Sequence, residues 1–585
     1  MLKIKNRIPS LAITSILDLI QYNFGIYRKF DLIVLISLLV IFSSSQSLFS
    51  QIIPISDIRE DQIRLLQLQG DSVSYSMSNR SLWTLPNKIK PEALWGGPLP
   101  YTILNNSNLL DIGLYDLEFQ NIYNNNLPFG ENNESSWYGR GSNLEIKGGF
   151  FATSDYVTIT FRPLLSYSQN SDFKYPRFIP TDDLGIVLYG AEEVGFSLDS
   201  PFRYGPDPFW NFDLGYTSVR FHYKNFETGF SKEPRWWGPG KKYSLIMSNN
   251  APGMKHVFFG SRSPVKLPYI GNLEFTWMGG WPEDSKYYVH SFVRSLDVST
   301  ETQRFMNGLN VIYSPSFISN LHVGVSRVFH QYVPEGGLSS SHYLAVFQDI
   351  LKVKIGNNPG DNQIFSAHFR WLFPESRTEL YAEFTREDHS YNARDFILEP
   401  NHARAYTIGL QKILPSKLIE FFKLSIEINS LIPGQIAELR PQPYFYTHAR
   451  IRQGHTNEGK ILGAGIGPGS ESQFFAADAY LKKGKVGLFA QRVVDNDLFH
   501  FRYNREEIDP FPWAGEKDWW RHRVDLHLGL QGAYSFNSFI FSSTFTWTKA
   551  FNYGRFDIGD MYGFYEQGGN DETNIQFEFG IQYRF

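Results

Sequence analysis

The stretch from Gly229 to Gly253, GFSKEPRWWGPGKKYSLIMSNNAPG, holds the densest set of groups suited to chemistry. Trp236 and Trp237 are adjacent indoles. Arg235, Lys241 and Lys242 flank a Gly238-Pro239-Gly240 turn, and Asn249 and Asn250 are paired amides. Indoles stack on the apolar face of a sugar ring and amides bond its hydroxyls. Cations such as Arg235 and Lys241 pair with the uronate or phosphate groups of an acidic glycan. Arg235, Trp236, Trp237, Lys241, Asn249 and Asn250 are therefore candidate polysaccharide contacts. The same residue types also suit an aromatic girdle and a tight turn in a membrane barrel. In a strand the two indoles would point to opposite faces, one to packing or lipid and one to a lumen.

A second constellation spans two neighbouring segments. Ser366, His368 and Arg370 fall on one face, and Glu379, Tyr381 and Glu383 fall on one face of the next segment, after a turn at Phe373 to Ser376. Two like charges on one face need cations nearby, so Arg370, Glu379 and Glu383 read as a charge network inside a barrel lumen. A glycosidase would need two acids across a sugar cleft, and nothing else in the chain supports one. The run Gly463 to Gly469, GAGIGPG, lacks the Lys-Ser/Thr of a phosphate loop and reads as a bulge or close-packing device in a barrel wall. His389, beside Glu387 and Asp388, reads as a solvated loop residue. No metal site, cofactor or catalytic residue is expected.

These residues need a scaffold, and the composition limits the choice. The chain has 585 residues, with 16% aromatic residues, 48 Gly and no Cys. Many aromatics with many glycines suit strands and turns. The absence of Cys excludes disulfides, thiolate metal sites, a Cys nucleophile and a lipidated N-terminal Cys. A net charge of −4 gives no reason to expect nucleic acid as a partner. A mean hydropathy of −0.29 excludes a helical membrane protein.

Arg28 and Lys29 precede an apolar run, Leu32 to Phe42, followed by small and polar residues to Ser50. This is the layout of a secretory signal, with cleavage after Ser47 or Ser50. The core is too short to span a bilayer, which takes about 20 residues. Ile58 to Gly70, IREDQIRLLQLQG, reads as a helix with Asp57 as its cap and Gly70 as its stop. A second short helix is expected between Pro91 and Trp95.

From about Leu109 the period becomes two. Val219, Phe221 and Tyr223 alternate with Arg220, His222 and Lys224, and Val524, Leu526, Leu528 and Leu530 alternate with Asp525, His527 and Gly529. Val157 to Phe161 and Phe365 to Trp371 do the same. Charged residues between apolar ones fit a barrel with a wet lumen and a lipid-facing exterior. The last residues, NIQFEFGIQYRF, alternate up to a terminal Phe585, as the closing strand of an outer-membrane barrel does. Some 480 residues at about 25 to 30 per strand give about sixteen to eighteen strands, and such barrels are even-numbered.

The run RWWGPGKKYSLIMSNNAPG resembles the central motif of the capsule-assembly Wzi family, WWGPG followed by Ser-Leu-Ile-x-Ser-Asn-Asn-Ala. In the same order along the chain, WYGRG (Trp137 to Gly141), DSPFRYG (Asp199 to Gly205), ELYAEFTREDH (Glu379 to His389) and GHTNEGKILGAGIGPG (Gly454 to Gly469) resemble other motifs of that family. WWGPG and GIGPG are the specific ones. The resemblance implies a barrel of about 18 antiparallel strands, closed at its periplasmic end by a small helical bundle. It also implies a lectin-like role in holding capsular or related polysaccharide. Lys241 and Lys242 fall where the family varies, so glycan specificity does not carry over.

The resulting expectation is an all-β outer-membrane barrel with a small N-terminal periplasmic α-helical segment. Its divisions are 1–50 signal, 51–100 helical segment and 101–585 barrel. The expected role is binding and attaching surface polysaccharide (capsule, exopolysaccharide or lipopolysaccharide), by a non-catalytic monomer embedded in outer-membrane lipid. A porin-like channel for small solutes is the competing reading.

Overall fold

The computed structural model describes residues 52–70, 75–83, 102–106, 110–174, 198–287, 303–347, 362–387, 392–432, 434, 445–448, 451–495, 523–553 and 570–585. The expected signal, the short helix at 91–95 and His389 lie outside these residues.

Period-two alternation makes strands, and these strands form one antiparallel sheet of 22 hydrogen-bonded segments. Three strands are each split in two. Val157–Phe161 and Leu164–Ser168 are one strand, interrupted where Pro163 offers no N–H to the ladder. Phe209–Asp213 with Ser218–Tyr223, and Lys255–Ser261 with Val265–Leu267, are the other two. The short segment Thr102–Asn106 pairs with the foot of the first strand, below the point where the last strand stops. Eighteen wall strands remain. The last, Glu572–Tyr583, pairs with the first, Leu110–Asn124, with Phe577 opposite Tyr123 and Tyr583 opposite Leu117, so the sheet closes on itself. Closure leaves no edge for another chain to pair with.

The sheet is apolar on the outside and polar within, the reverse of a soluble sandwich. Phe221, Tyr223, Leu488, Leu528, Leu530, Ile575 and Phe577 are exposed on the outer face. Their neighbours Arg220, His222, Gln491, Asp525, His527, Asn574 and Gln576 are buried inside. A closed antiparallel barrel with an apolar outer band satisfies every backbone group without water, which is what a bilayer demands. One end of the barrel carries short turns, such as Lys224-Asn225, Lys482-Lys483 and Asn537-Ser538. The other end carries long loops. In barrels of this type the short turns are periplasmic.

The expected helix forms at Ile58–Gln69 and is called α1. Asp57 caps it by accepting from the Arg59 N–H, and Gly70 ends it at φ 81°. It sits inside the barrel at the short-turn end. Leu65 and Leu68 pack on Leu372, Ile413 and Tyr480 of the wall, and a β-carbon on Gly70 would lie 3.4 Å from Pro374. Arg59, Glu60, Gln62, Arg64 and Gln67 are buried as well. A helix with polar groups buried all round needs a polar enclosure, and the lumen supplies it.

The Leu488→Arg substitution places a guanidinium on the outer face at mid-strand. It is expected to destabilise the barrel by about 2–4 kcal/mol in a bilayer, read as a lower urea midpoint in lipid vesicles. The inward Gln531→Ala change is expected to move that midpoint far less.

Candidate functional site

The loop 232–254, between the strands Phe226–Ser231 and Lys255–Ser261, does not lie on the rim. It turns into the lumen and carries the whole WWGPG run with it. Trp236 and Trp237 are 1% and 0% exposed. Neither belongs to a lipid-facing girdle; both are packed in the lumen, and Trp236 reaches the lining of a cavity there. They form a two-residue ladder with the N-terminal segment, Trp236 opposite Arg80 and Trp237 opposite Asn79. The Arg80 guanidinium lies 4.3 Å from the centre of the Trp236 ring and donates to the Gly240 carbonyl at 2.6 Å and to Glu60 at 2.9 Å. Trp237 packs on the wall at Gly308, where a β-carbon would fall 2.7 Å from its ring.

The glycines of the turn follow from its surroundings. Gly238 has φ 125°, and a β-carbon there would meet Glu383 Oε2 at 2.7 Å. At Gly240 a β-carbon would lie 1.9 Å from the Tyr243 carbonyl oxygen. The next three N–H groups converge on one wall carboxylate. Lys241, Lys242 and Tyr243 donate to Glu427 at 2.7, 3.0 and 2.9 Å, and the Tyr381 hydroxyl donates to it at 2.7 Å.

The other candidate contacts are also engaged. Arg235 is buried, donates to His256 Nε2 at 3.3 Å and lies 4.7 Å from the Phe258 ring centre. Burial, with Arg220 nearby, pushes its guanidinium down to about 10. Asn249 is buried and donates to the Asn132 carbonyl at 3.2 Å. Asn250 donates to the Ile461 carbonyl at 2.9 Å. Lys241 stays half-buried and pairs with Asp61 of α1 at 2.5 Å. The structure thus gathers all six into one lumen plug, held to α1, the wall and the other loops.

The two family-specific motifs pack on each other. Ser248 donates to the carbonyls of Leu462, through its N–H at 2.7 Å, and Gly463, through its hydroxyl at 2.6 Å. A β-carbon at Gly463 would strike the Leu245 carbonyl at 2.5 Å, and one at Gly465 would strike Asn250 at 2.4 Å. GAGIGPG is therefore a close-packing device as expected, but within the plug rather than in a wall strand. No strand needs those glycines; the approach of a second loop does.

The charge network joins Arg370 and Glu379, with Nε to Oε1 at 3.1 Å, and extends to Arg64 of α1, which bonds the same carboxylate. Arg64 also donates to the Pro239 carbonyl at 3.0 Å, and Arg370 to Gln67 at 2.7 Å. Glu383 is not part of it. It accepts from the Ser366 hydroxyl at 2.8 Å and the Leu245 N–H at 3.4 Å, and no cation pairs with it among the described residues. Asp61 is a second hub, with Lys241, Lys423 and Lys485 within 3.5 Å. Burial alone would raise the Asp61 carboxyl, but these three lysines hold it well below the usual carboxylate range.

Beside the plug lie two adjoining cavities of about 480 and 460 Å³. Gln120, Lys242, Phe474, Gln531 and Thr544 line both. Loop 125–140 folds over the upper one, with Glu131 pairing with Lys242 at 2.8 Å and accepting from the Tyr243 hydroxyl at 2.5 Å. Amides, hydroxyls and aromatic edges along one wall offer hydrogen bonds and stacking to a polar ligand. No group of three or more His, Asp or Glu suited to a metal occurs among the described residues.

Sequence reasoning missed Glu427, Arg64 and Asp61. A signal for Glu427 was present, since Ser425, Glu427 and Asn429 alternate with Leu424, Ile426 and Ile428. For the other two there was none, because their partners lie hundreds of residues away.

The family model described as capsule assembly protein Wzi matches residues 125–529. The chain belongs to that family. Among solved structures, it is similar to Wzi of Escherichia coli, an outer-membrane protein involved in group 1 capsule assembly and a carbohydrate-binding β-barrel. Identity is 13%, coverage is 91% of this chain and 99% of that one, and the TM-score is 0.56. At that identity the likeness shows the fold. OccD3 (OpdP) of Pseudomonas aeruginosa aligns at 11% identity over 81% of this chain and 91% of its own, with a TM-score of 0.36, too distant to support an argument. No curated protein matches the chain by sequence. The match to the Wzi model contains the plug loop and GAGIGPG, so the motifs that mark the family are the ones that fill the lumen.

Two outcomes are expected. Gly238→Ala forces a β-carbon onto Glu383 at a left-handed φ and should cost about 1–3 kcal/mol, seen as faster protease cleavage within loop 232–254. Asp61 has a depressed carboxyl, so its contribution is complete above about pH 4, the ordinary carboxylate value, and is lost as pH falls below it. Limited proteolysis of the N-terminal segment should accelerate in that acid window, and Asp61→Asn should show the fast rate already at pH 7.

Proposed function

We propose that this chain is an outer-membrane protein that binds surface polysaccharide and keeps it attached to the cell, without covalent chemistry. The observation that supports this most is membership of the Wzi family across residues 125–529. The carbohydrate-binding character of the E. coli protein is in keeping with it. The plug adds a physical reason. A lumen crossed by α1, loop 232–254 and the 451–470 loop suits a rigid platform better than a wide pore. In this reading residues 1–50 serve export, and the mature protein acts as a monomer.

Five of the six motif residues take an indirect part. Arg235, Trp236, Trp237, Asn249 and Asn250 fix the plug, and the plug fixes the loops that meet the glycan. Lys241 and Lys242 line the cavities and keep some exposure. Each neutral sugar hydrogen bond is worth about 0.5–1.5 kcal/mol net, so retention of a long chain comes from many contacts at once.

The test has two parts. Cells lacking the gene should shed polysaccharide into the medium, and the purified full-length protein should retain the same polysaccharide on an array. Full retention of polysaccharide on the deletion strain sinks the attachment role. In planar bilayers the protein should show no steady large conductance; a steady large one supports the porin reading instead.

A further inference from the structure

One sector of the outer wall breaks the apolar rule. In the strand Leu321–Tyr332, Val323 and Val325 face outward and are exposed. Arg327 has the same parity, in register with Leu309 and Phe365. It lies five residues below Tyr332, roughly 16 Å down the strand at about 3.3 Å per residue. Asn307 and Gln363 also face outward here, opposite each side of Phe329. A bare guanidinium at this depth is costly against lipid.

The protein covers the sector with its own chain. Residues 340–347, a helical turn at Ser340–Tyr343 and a 3-10 turn at Ala345–Phe347, fold back along the outside of the wall. Trp277 Nε1 and Asn307 Nδ2 donate to the Tyr343 carbonyl at 3.1 and 2.6 Å. The Val346 N–H donates to Asn307 Oδ1 at 3.1 Å. Arg327 donates to the Val346 carbonyl at 3.2 Å and to Gln363 at 2.8 Å. Ala345 and Val346 bury themselves against Phe329, Trp277 and Leu309. Tyr343 packs edge-on to the outward ring of Phe305 at 5.0 Å. The inward groups of the segment are thus all used, while Leu344 and Phe347 remain 52% and 63% exposed. A second loop helix, Ala393–Leu398, exposes Phe396, Ile397 and Leu398 nearby in the same fashion, with Arg386 stacked on Phe396 at 5.2 Å.

We propose that residues 340–347 are an interfacial anchor, with Leu344 and Phe347 inserted among the acyl chains of the leaflet at the loop end. The occupant is lipid because the segment continues the lipid-facing band of Val323, Val325 and Phe369, and because the polar row that could have received a protein partner is already capped by this chain. The inference rests on the barrel spanning a bilayer and not on the glycan reading.

The chain has no Cys, so single labels can be placed cleanly. Leu344→Cys and Phe347→Cys, each spin-labelled in the full-length protein in lipid vesicles, are to be probed with oxygen and a water-soluble nickel chelate. Leu528→Cys serves as the lipid control and the exposed Glu335→Cys as the aqueous control. High oxygen and low chelate access, as at Leu528, is the expected result. Chelate access as high as at Glu335 overturns the proposal. Shielding from both reagents also overturns it, since it means protein covers the segment. Both side chains are exposed, so folding should survive; if one variant fails, the other gives the same readings.

Discussion

Polar side chains turned into the lumen must find partners there, and that requirement organises this molecule. Lipid on the outside makes most outward residues of the strands apolar, which leaves the alternate residues to the interior. The lumen is filled largely by α1 and the inward loops, so the partners are other parts of the chain. Glu379 of the wall takes Arg370 from its neighbour strand and Arg64 from α1. Glu427 takes three N–H groups from the loop after WWGPG. Breaking a buried pair by removing one partner costs about 3–5 kcal/mol, whereas an exposed pair such as Lys255 with Glu283 contributes about 0–1 kcal/mol. The plug is therefore held by its buried hubs rather than by the rim.

The wall was legible in the sequence because its rule is local. Alternation over five to fifteen residues identified strands at Val219–Tyr223, Phe365–Trp371 and Val524–Leu530, and the ending at Phe585 placed the closing strand. Asp57 and Gly70 marked both ends of α1 for the same reason. The interior was not legible. Trp236 and Trp237 suit a girdle or a sugar platform by type, and their contacts with Arg80, Gly308 and Met247 place them in a packed lumen instead. Glu383 was grouped with Arg370 by parity. The register instead sets it opposite His368, out of reach of that cation and beside Gly238. The sector under residues 340–347 was not singled out in the sequence, although Arg327 shares the parity of Val323 and Val325.

The family resemblance gains physical content from this. WWGPG, SLIMSNN and GAGIGPG are spaced over more than two hundred residues, yet they meet at one place. Their glycines sit where a β-carbon would strike Glu383, Tyr243, Leu245 or Asn250. What recurs as a motif is a set of close approaches inside a barrel, and a sugar need not touch any of it.

The ladder between Asn79–Arg80 and Trp236–Trp237 has a consequence for the barrel as a whole. It ties a segment that precedes every wall strand to a loop that follows the fifth, and α1 beyond it bonds wall strands as late as Tyr480 and Lys485. The seam between the first and last strands joins only when the final residues arrive. The N-terminal segment is bonded to both early and late parts of the wall, from Asp116 of the first strand to Lys485 of the fifteenth. The enclosed segment is thus an internal strut that cross-braces the cylinder between strands far apart in the sequence.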